Sequence, residues 1–289
     1  MRLVSFSLPD RSGVAARDGD RLVDLGTAAP DLPRDMVSIV AAGKPALARA
    51  AEAIRSAPAA AILDPEKIRY RPAVPRAGKI FCLGLNYAAH AAEGGNAVPA
   101  YPALFLRTNT SLVGHRETIA RTRLSDTLDY EAELAVVIGA TARRVVRDRA
   151  LETVAGYACF NDATVREYQR KTSQWTIGKN FDATGGFGPE LVTPDELPPG
   201  AAGLRIRSIL NGQTMQDDNT RNMVVSVADA IALISACTTL EPGDVIVMGT
   251  PSGVGYARTP PVFMRPGDVC EIDIEGVGRL SNPIVDDAD

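Results

Sequence analysis

The sequence predicts a mixed α+β, strand-rich fold, with a small N-terminal domain at residues 1–72 and a larger β-rich domain at residues 73–289. From residue 79 onward, segments with the composition of strands outnumber segments with helical spacing. Asn211-Gly212 lies between two short strand-like runs, which is typical of a two-residue hairpin turn. A proline-broken stretch at 71–76 separates the two predicted domains.

The N-terminal domain is predicted to combine short strands with alanine-rich helices. Its strands are expected at 3–7, 13–16 and 21–25, and its helices at 36–42 and 46–54. Strands of the larger domain are expected at 80–85, 103–106, 133–138, 157–160, 204–210, 245–248 and 269–274. Its helices are expected at 148–155, 164–171 and 226–237, the last capped by Ser226. Because few helices lie between these strands, the pattern favours a mixed fold over a doubly wound α/β sheet.

Composition excludes several classes of protein. The 289 residues are 45% hydrophobic and 23% charged, and the net charge is −4, so neither nucleic acid nor an anionic membrane is an expected partner. No run approaches the ~18 apolar residues of a membrane span, and the N-terminus is too short in apolar length for a signal peptide. The scattered cysteines form no Cys-x-x-Cys pair and predict buried thiols in a reducing cytoplasm.

Glu131 and Glu133 begin a segment that first alternates and then becomes almost wholly apolar, as does a strand that enters a core. Side chains two apart on a strand share a face, and two carboxylates on one face suit a hard cation such as Mg²⁺ or Mn²⁺. The alternative is a solvated strand face, because surface carboxylates are common. With only His90 and His115 in the chain, a zinc site built from histidines is nearly excluded.

Asp162 follows the apolar run 157–160 and precedes a predicted helix. One interpretation is a helix N-cap. Beside Glu131 and Glu133, however, Asp162 is a natural third oxygen ligand, and three carboxylates would leave about three positions of an octahedral shell open for substrate or water.

His90 and Glu93 are three residues apart after the predicted strand 80–85, so they share one side of a helical turn. A carboxylate that holds one imidazole nitrogen makes the ring a better general base. Gly94-Gly95 would let this segment move as a flap. The alternative is a surface helix with an incidental pair of side chains.

Further polar residues are candidates for holding a substrate. Lys179 would neutralise a cluster of three carboxylates with one divalent cation and would attract an anionic substrate, although it could equally be a surface lysine. Arg166 and Gln169, three apart, could donate hydrogen bonds to a carboxylate, and Thr250 could offer a hydroxyl. The glycine-rich 249–255 segment lacks the lysine and helix start of a phosphate loop, which argues against nucleotide binding.

In combination these segments resemble the fumarylacetoacetate hydrolase family, in the family's order over about 200 residues. The matching segments are Leu85-Asn86-Tyr87-x-x-His90-x-x-Glu93, Asp129-Tyr130-Glu131-x-Glu133-Leu134, Phe160-Asn161-Asp162-x-Thr164-x-Arg166-x-x-Gln169, Gly178-Lys179-x-Phe181-Asp182, Gly249-Thr250-Pro251-x-Gly253-Val254-Gly255, Arg265-Pro266-Gly267-Asp268-Val269 and Glu275-Gly276-Val277-Gly278. Two features depart from the family pattern: Asn180 replaces a serine after Lys179, and 115–117 replaces a Pro-Gly-Asp turn.

The resemblance implies a catalytic domain of rolled mixed β-sheets, usually homodimeric, behind a smaller N-terminal domain. It implies that Glu131, Glu133 and Asp162 bind a divalent cation, with Mg²⁺ expected first and Mn²⁺ or Ca²⁺ as alternatives. His90 and Glu93 would form a water-activating dyad on a lid, and Lys179 would act in catalysis. Lys179, Gln169 and Thr250 would contact the substrate, and we add Arg166 to this set as a donor to its carboxylate.

The leading hypothesis is hydrolysis of a carbon–carbon bond in a β-diketo acid of the acylpyruvate or fumarylpyruvate type, as in aromatic catabolism. The same scaffold also serves 2-oxo acid decarboxylases and 2-hydroxymuconate-type isomerases or tautomerases, and the dyad favours hydrolysis because a water nucleophile needs a base. A third interpretation, from another class, is a non-catalytic dimer in which the carboxylates hold a structural ion.

Overall fold

The computed structural model describes residues 1–287 and confirms the strand-rich mixed α+β fold. The strands are β1 Arg2–Ser7, β2 Ser12–Asp18, β3 Arg21–Asp24, β4 Ile62–Leu63, β5 Arg69–Tyr70, β6 Ile80–Gly84, β7 Ala103–Leu106, β8 Leu112–Val113, β9 Ile119–Arg121, β10 Leu128–Asp129, β11 Ala132–Ile138, β12 Val154–Asn161, β13 Thr164–Val165, β14 Gly185–Val192, β15 Arg205–Leu210, β16 Gln213–Asn219, β17 Val245–Val247, β18 Val269–Ile274 and β19 Gly278–Asp286. The helices are α1 Leu25–Ala28, α2 Met36–Arg55, α3 Ala88–Glu93, α4 Arg147–Ala150, α5 Arg166–Gln169, α6 Thr176–Lys179 and α7 Val227–Cys237.

A twelve-stranded mixed sheet is the centre of the fold. Its order is β4-β3-β2-β1-β14-β12-β11-β17-β6-β7, with β5 paired to β1 and β8 paired to β14. The antiparallel pairing of Leu3 with Leu191 joins the N-terminal strands to the rest of the sheet. Hydrogen bonding is therefore continuous across the predicted boundary at residues 72 and 73, and the division into two domains stays a prediction.

β11 lies between two layers of core. Leu134, Val136 and Ile138 pack on one side of the sheet, in a cluster that also contains the apolar face of α7. Ala135 and Val137 pack on the other side, in a cluster that contains the apolar face of α2. A strand covered on both faces needs apolar residues at every position, which explains the unbroken apolar run in its second half.

A separate five-stranded sheet, β16-β15-β18-β19-β9, packs beside the large one. Leu210 pairs with Gln213 across Asn211-Gly212, and both turn residues have positive φ, so the predicted hairpin is confirmed.

Two predicted helices are shorter than expected. The predicted helix 148–155 is helical only at Arg147–Ala150 and in a 3-10 turn at Leu151–Thr153, because Val154 already begins β12. The predicted helix 164–171 begins at Arg166, because Thr164 and Val165 pair with Asp129 and Leu128 as a strand. Both errors involve β-branched residues whose strand partners are distant in sequence.

The remaining helical predictions fit the structure closely. α2 contains both predicted N-terminal helices, interrupted at Gly43, whose φ is +63°. Ser226 caps α7 by accepting a hydrogen bond from Asp229 N, as predicted. No helix within residues 1–287 is long and apolar enough to cross a membrane.

Candidate metal centre and active site

The pairing of β11 with β12 brings three carboxylates together. Ala132 pairs with Asn161, so Glu131 lies opposite Asp162, whose backbone N–H donates to the Glu131 carbonyl at 3.0 Å. Glu133, two residues after Glu131, is the second residue of β11. One oxygen from each of the three carboxylates lies within 4.8 Å of the others.

The alternatives for these carboxylates do not fit the structure. Glu131 and Glu133 are only 4% and 2% exposed, so they do not form a solvated strand face. Asp162 is fully buried, and its side-chain oxygens accept hydrogen bonds from Arg107 and Lys179 instead of capping a helix. Buried carboxylates need cationic or hydrogen-bonding partners, and the surrounding residues supply them.

Lys179 is the central cation of the cluster and is not a surface lysine. Its Nζ lies 2.7 Å from Glu131 Oε2 and 2.5 Å from Asp162 Oδ2, and its side chain is 2% exposed. Burial opposes the charged ammonium, but the carboxylates of Asp162 and Glu131 outweigh this effect and raise the pKa of Lys179. The ammonium therefore stays charged inside the protein.

Arg166 is also buried, and most of its guanidinium is already bound by protein groups. Its Nε donates to Asp129 Oδ2 at 2.8 Å, and its Nη1 lies 2.6 Å from Glu131 Oε1 and donates to Gln169 Oε1 at 3.1 Å. Its Nη2 is buried and has no hydrogen-bond partner among the described residues. Arg166 thus has one donor group left for a molecule in the site.

The carboxylates differ in their electrostatic surroundings. Burial would raise the pKa of Glu131, but the Lys179 ammonium and the Arg166 guanidinium outweigh it and lower the pKa to about 2. Burial raises the pKa of Glu133 well above its ordinary value, and the carboxylates of Asp162 and Glu131 raise it further. Glu133 accepts a 2.6 Å hydrogen bond from Gly249 N but has no ion pair closer than 4.0 Å within residues 1–287. It is the carboxylate that most lacks a positive charge.

These residues fit a divalent cation. Glu131, Glu133 and Asp162 offer only hard oxygen donors, which suit Mg²⁺, Mn²⁺ or Ca²⁺. The Lys179 ammonium already lies between oxygens of Glu131 and Asp162, so these oxygens converge on a positive charge. Glu133 completes the set with a carboxylate that has no cation of its own.

His90 and Glu93 form the predicted contact on α3. Their Nδ1 and Oε1 atoms are 2.8 Å apart, and Glu93 Oε2 accepts a 2.8 Å hydrogen bond from Gly253 N. Glu93 is therefore fixed by the glycine-rich turn, and it in turn orients the imidazole through Nδ1. The His90 Nε2 atom is left for another partner.

One cavity of about 350 Å³ contains most of the predicted site residues. Its lining includes His90, Glu131, Glu133, Asp162, Arg166, Gln169, Arg170, Trp175, Lys179, Thr250 and Tyr256. Glu93 does not line the cavity but contacts His90, which does. The Thr250 hydroxyl is already engaged, because it donates to the Ala132 carbonyl at 3.0 Å and accepts from Gln216 Nε2 at 2.8 Å.

Sequence reasoning missed three buried polar residues that hold this site. Arg107 Nη1 donates to Asp162 Oδ1 at 2.6 Å. Asp129 accepts hydrogen bonds from Arg166 and from the backbone N–H groups of Gly255 and Tyr256. Gln216 ties Thr250 to β11 through Ala132 N. Asp129 lies in one of the segments that match the family but is given no role by the sequence alone, whereas neither Arg107 nor Gln216 carries a local signal.

Known proteins resemble this chain over almost its whole length. Residues 79–285 match the family model described as Fumarylacetoacetate (FAA) hydrolase C-terminal. The mitochondrial oxaloacetate tautomerase fahd2 of Xenopus laevis is 38% identical over 292 residues, covering 99% of this chain and 90% of that protein.

Two solved structures share the fold. The fumarylacetoacetate hydrolase from psychrophilic Exiguobacterium antarcticum is 30% identical, with a TM-score of 0.85 over 99% of this chain and 100% of that one. The maleylpyruvate hydrolase from Sphingobium sp. SYK-6, solved in complex with manganese(II) and pyruvate, is 27% identical, with a TM-score of 0.82 over 100% of both chains.

Proposed function

The chain belongs to the fumarylacetoacetate hydrolase family, and we propose that it hydrolyses a carbon–carbon bond in β-diketo acids of the acylpyruvate or fumarylpyruvate type. The observation that carries this proposal is the cavity that His90, held by Glu93, shares with the three carboxylates. In this arrangement His90 would act as a general base beside carboxylates that could hold a 2-oxo acid through a divalent cation. We propose Mg²⁺ as this cation, with Mn²⁺ or Ca²⁺ as alternatives.

A cation held by Glu131, Glu133 and Asp162 would supply a Lewis acid for negative charge on the 2-oxo acid end of the substrate. Arg166 Nη2, which lacks a protein acceptor among the described residues, would donate to the substrate carboxylate. Gln169 and Thr250 line the same wall and would complete the binding surface.

The His90–Glu93 pair would activate water. Because Glu93 holds Nδ1, the Nε2 atom is the base that takes a proton from water. The hydroxide attacks the distal carbonyl carbon, the adjacent carbon–carbon bond breaks, and its electron pair passes to the enolate of pyruvate. The Lys179 ammonium would stabilise the charge of this enolate, and the proton on His90 is available to the products.

Cleavage of acetylpyruvate and fumarylpyruvate, followed by absorbance and product NMR with added Mg²⁺ or Mn²⁺, tests the proposal. His90→Ala should lower kcat/KM by about 10²–10⁴-fold, because the general base is lost. Glu131→Ala should also lower kcat/KM, because one ligand of the proposed cation is lost. His115→Gln is the matched control, because His115 lies outside the cavity lining and accepts its hydrogen bond from Ser281 N. Full activity of either site variant would refute the assignment.

A second candidate is tautomerisation of oxaloacetate, favoured by the 38% identity to a protein of that name. Tautomerisation needs the same bound enolate but no water nucleophile. His90 or Lys179 would then move a proton between the enol oxygen and the neighbouring carbon. Wild-type protein given enol oxaloacetate would then accelerate loss of the enol absorbance without forming pyruvate, whereas decarboxylation would release pyruvate. The homodimer and the cytoplasmic location stay predictions.

A further inference from the structure

Arg170 and Tyr256 form a part of the cavity wall that the proposed chemistry does not use. Arg170 directly follows α5, and its guanidinium carbon lies 4.2 Å from the centroid of the Tyr256 ring. The guanidinium carbon of Arg166 lies 4.5 Å from the same centroid. One aromatic ring therefore joins Arg166, which contacts a candidate metal ligand, to a second arginine further along the wall.

Tyr256 is held firmly in this position. Its backbone N–H donates to Asp129 Oδ2 at 3.0 Å, and the same carboxylate binds Arg166. Its hydroxyl lies against Gly94, where an added Cβ would be only 2.6 Å away. The ring is thus fixed between the base of the site and the segment that follows α3.

The two arginines differ in what they bind. Arg166 is paired with Asp129 and Glu131, whereas the guanidinium of Arg170 makes no hydrogen bond or ion pair in the described part of the chain. The cavity's own carboxylates have nearer partners: Glu131 and Asp162 bind Lys179, and Glu133 accepts from Gly249. Among residues 1–287, the guanidinium of Arg170, which is exposed at this part of the wall, therefore has no anionic partner.

A guanidinium stacked on an aromatic ring keeps its edge free for hydrogen bonding. This planar edge matches a carboxylate and binds it through two parallel N–H donors. Stacking also restricts the long side chain, so less conformational freedom is lost when an anion binds.

We propose that Arg170, oriented by Tyr256, binds the second carboxylate of a dicarboxylic 2-oxo acid. The proposal rests on the function proposed above, since it requires that the 2-oxo acid end lie at the three carboxylates. Arg170 is then the residue that distinguishes acyl groups with a terminal carboxylate from uncharged ones.

Binding of two matched ligands to the Mn²⁺-loaded protein tests this proposal. 2-Oxoglutarate and 2-oxopentanoate have the same chain length and the same 2-oxo acid end, and only the first has a second carboxylate. Trp175, the single tryptophan of the chain, lines the cavity and reports binding through its fluorescence, with calorimetry as a second measurement.

Wild-type protein should bind 2-oxoglutarate about tenfold more tightly than 2-oxopentanoate, the lower end expected for a charged hydrogen bond. Arg170→Gln should remove this preference by weakening 2-oxoglutarate alone. Tyr256→Leu should reduce it, and Tyr256→Phe, which keeps the ring, should not. Lys171→Gln is the matched control, because Lys171 also stacks on an aromatic ring, that of Tyr168 at 3.7 Å, but lies outside the cavity lining.

Three results would overturn the proposal: equal binding of both ligands by wild type, a preserved preference in Arg170→Gln, or equal weakening of both ligands in that variant. The same preparations are assayed for acylpyruvate cleavage. A protein that prefers 2-oxoglutarate through Arg170 but cleaves no acylpyruvate would keep the subsite and refute only the hydrolase assignment. A protein that cleaves acylpyruvate but binds 2-oxoglutarate and 2-oxopentanoate equally would keep the hydrolase assignment and refute only the subsite.

Discussion

The two ends of β11 are equally buried but chemically opposite. At its start, Glu133 and Glu131, the residue directly before the strand, are 2% and 4% exposed and lie among charged groups. At its end, Val136 and Ile138 are fully buried among apolar side chains. Glu133 and Ala135 are two residues apart and point to the same side of the sheet. Along this face of the strand, a carboxylate is therefore followed directly by a methyl group.

This difference shows what each end contributes. Apolar burial stabilises the fold by roughly 25 cal/mol per Å² removed from water. The charged end must recover the desolvation of several ions through their mutual contacts, and buried ion networks seldom exceed apolar packing in net stability. A strand that keeps charges where methyl groups would stabilise it better is accordingly a candidate functional site. Variants that alter only one end of β11 separate these two contributions.

Lys179→Met should have the largest effect, because it leaves Glu131 and Asp162 without their shared ammonium. Loss of one partner from a buried ion network costs about 3–5 kcal/mol. Urea unfolding in EDTA measures this loss. Added Mn²⁺ should restore part of it, since a divalent cation can replace the missing positive charge. A destabilisation that Mn²⁺ leaves unchanged would show that the carboxylates do not bind it.

Ile138→Ala alters the apolar end of the same strand. Ile138 is fully buried, so its truncation should cost about 2–4 kcal/mol of folding stability through lost burial and the cavity that remains. Mn²⁺ should shift the unfolding midpoint of this variant as much as that of wild type, because the charged end is intact. If Mn²⁺ affinity fell as well, the two ends of β11 would not be independent.

Local patterns in the sequence predicted most of the elements but few of their partners. The strand β7 and the hairpin turn at 211–212 follow from residue type and spacing alone. β14, which contains Gly185 and Gly186, was not predicted, because its stability comes from pairing with β1 and β12. Such pairings depend on tertiary packing and cannot be recognised from a short segment of the sequence.

The candidate site divides in the same way. Glu131 and Glu133 could be singled out because their spacing places them on one strand face. Arg107 could not, because 55 residues separate it from Asp162 and only the fold brings the two together. Gln216 is 84 residues from the backbone N–H that it binds on β11. A polar residue whose hydrogen-bond partner is distant in sequence therefore has no local pattern that distinguishes it from a surface residue.

Glu133→Gln tests the smallest and least intuitive difference between the ends of β11. Burial and the neighbouring Asp162 and Glu131 carboxylates raise the pKa of Glu133, so the folded protein binds a proton there more tightly than the unfolded chain does. The contribution of Glu133 to the free energy of unfolding of wild type is therefore greatest at low pH. It falls as the pH rises above the pKa of about 4.5 in the unfolded chain toward the raised pKa in the folded protein. A neutral amide avoids that loss and can still accept from Gly249 N.

Without metal, the free energy of unfolding of the Glu133→Gln variant should therefore match that of wild type near pH 4.5 and exceed it at neutral pH. It should also bind Mn²⁺ more weakly than wild type, since one of three carboxylate ligands is lost. Urea unfolding from pH 4.5 to 8 in EDTA and calorimetric Mn²⁺ titration measure the two effects. A variant that loses both stability and Mn²⁺ affinity would mean that Glu133 supports the fold, whereas opposite changes would mean that stability is given up at this end of β11 for cation binding.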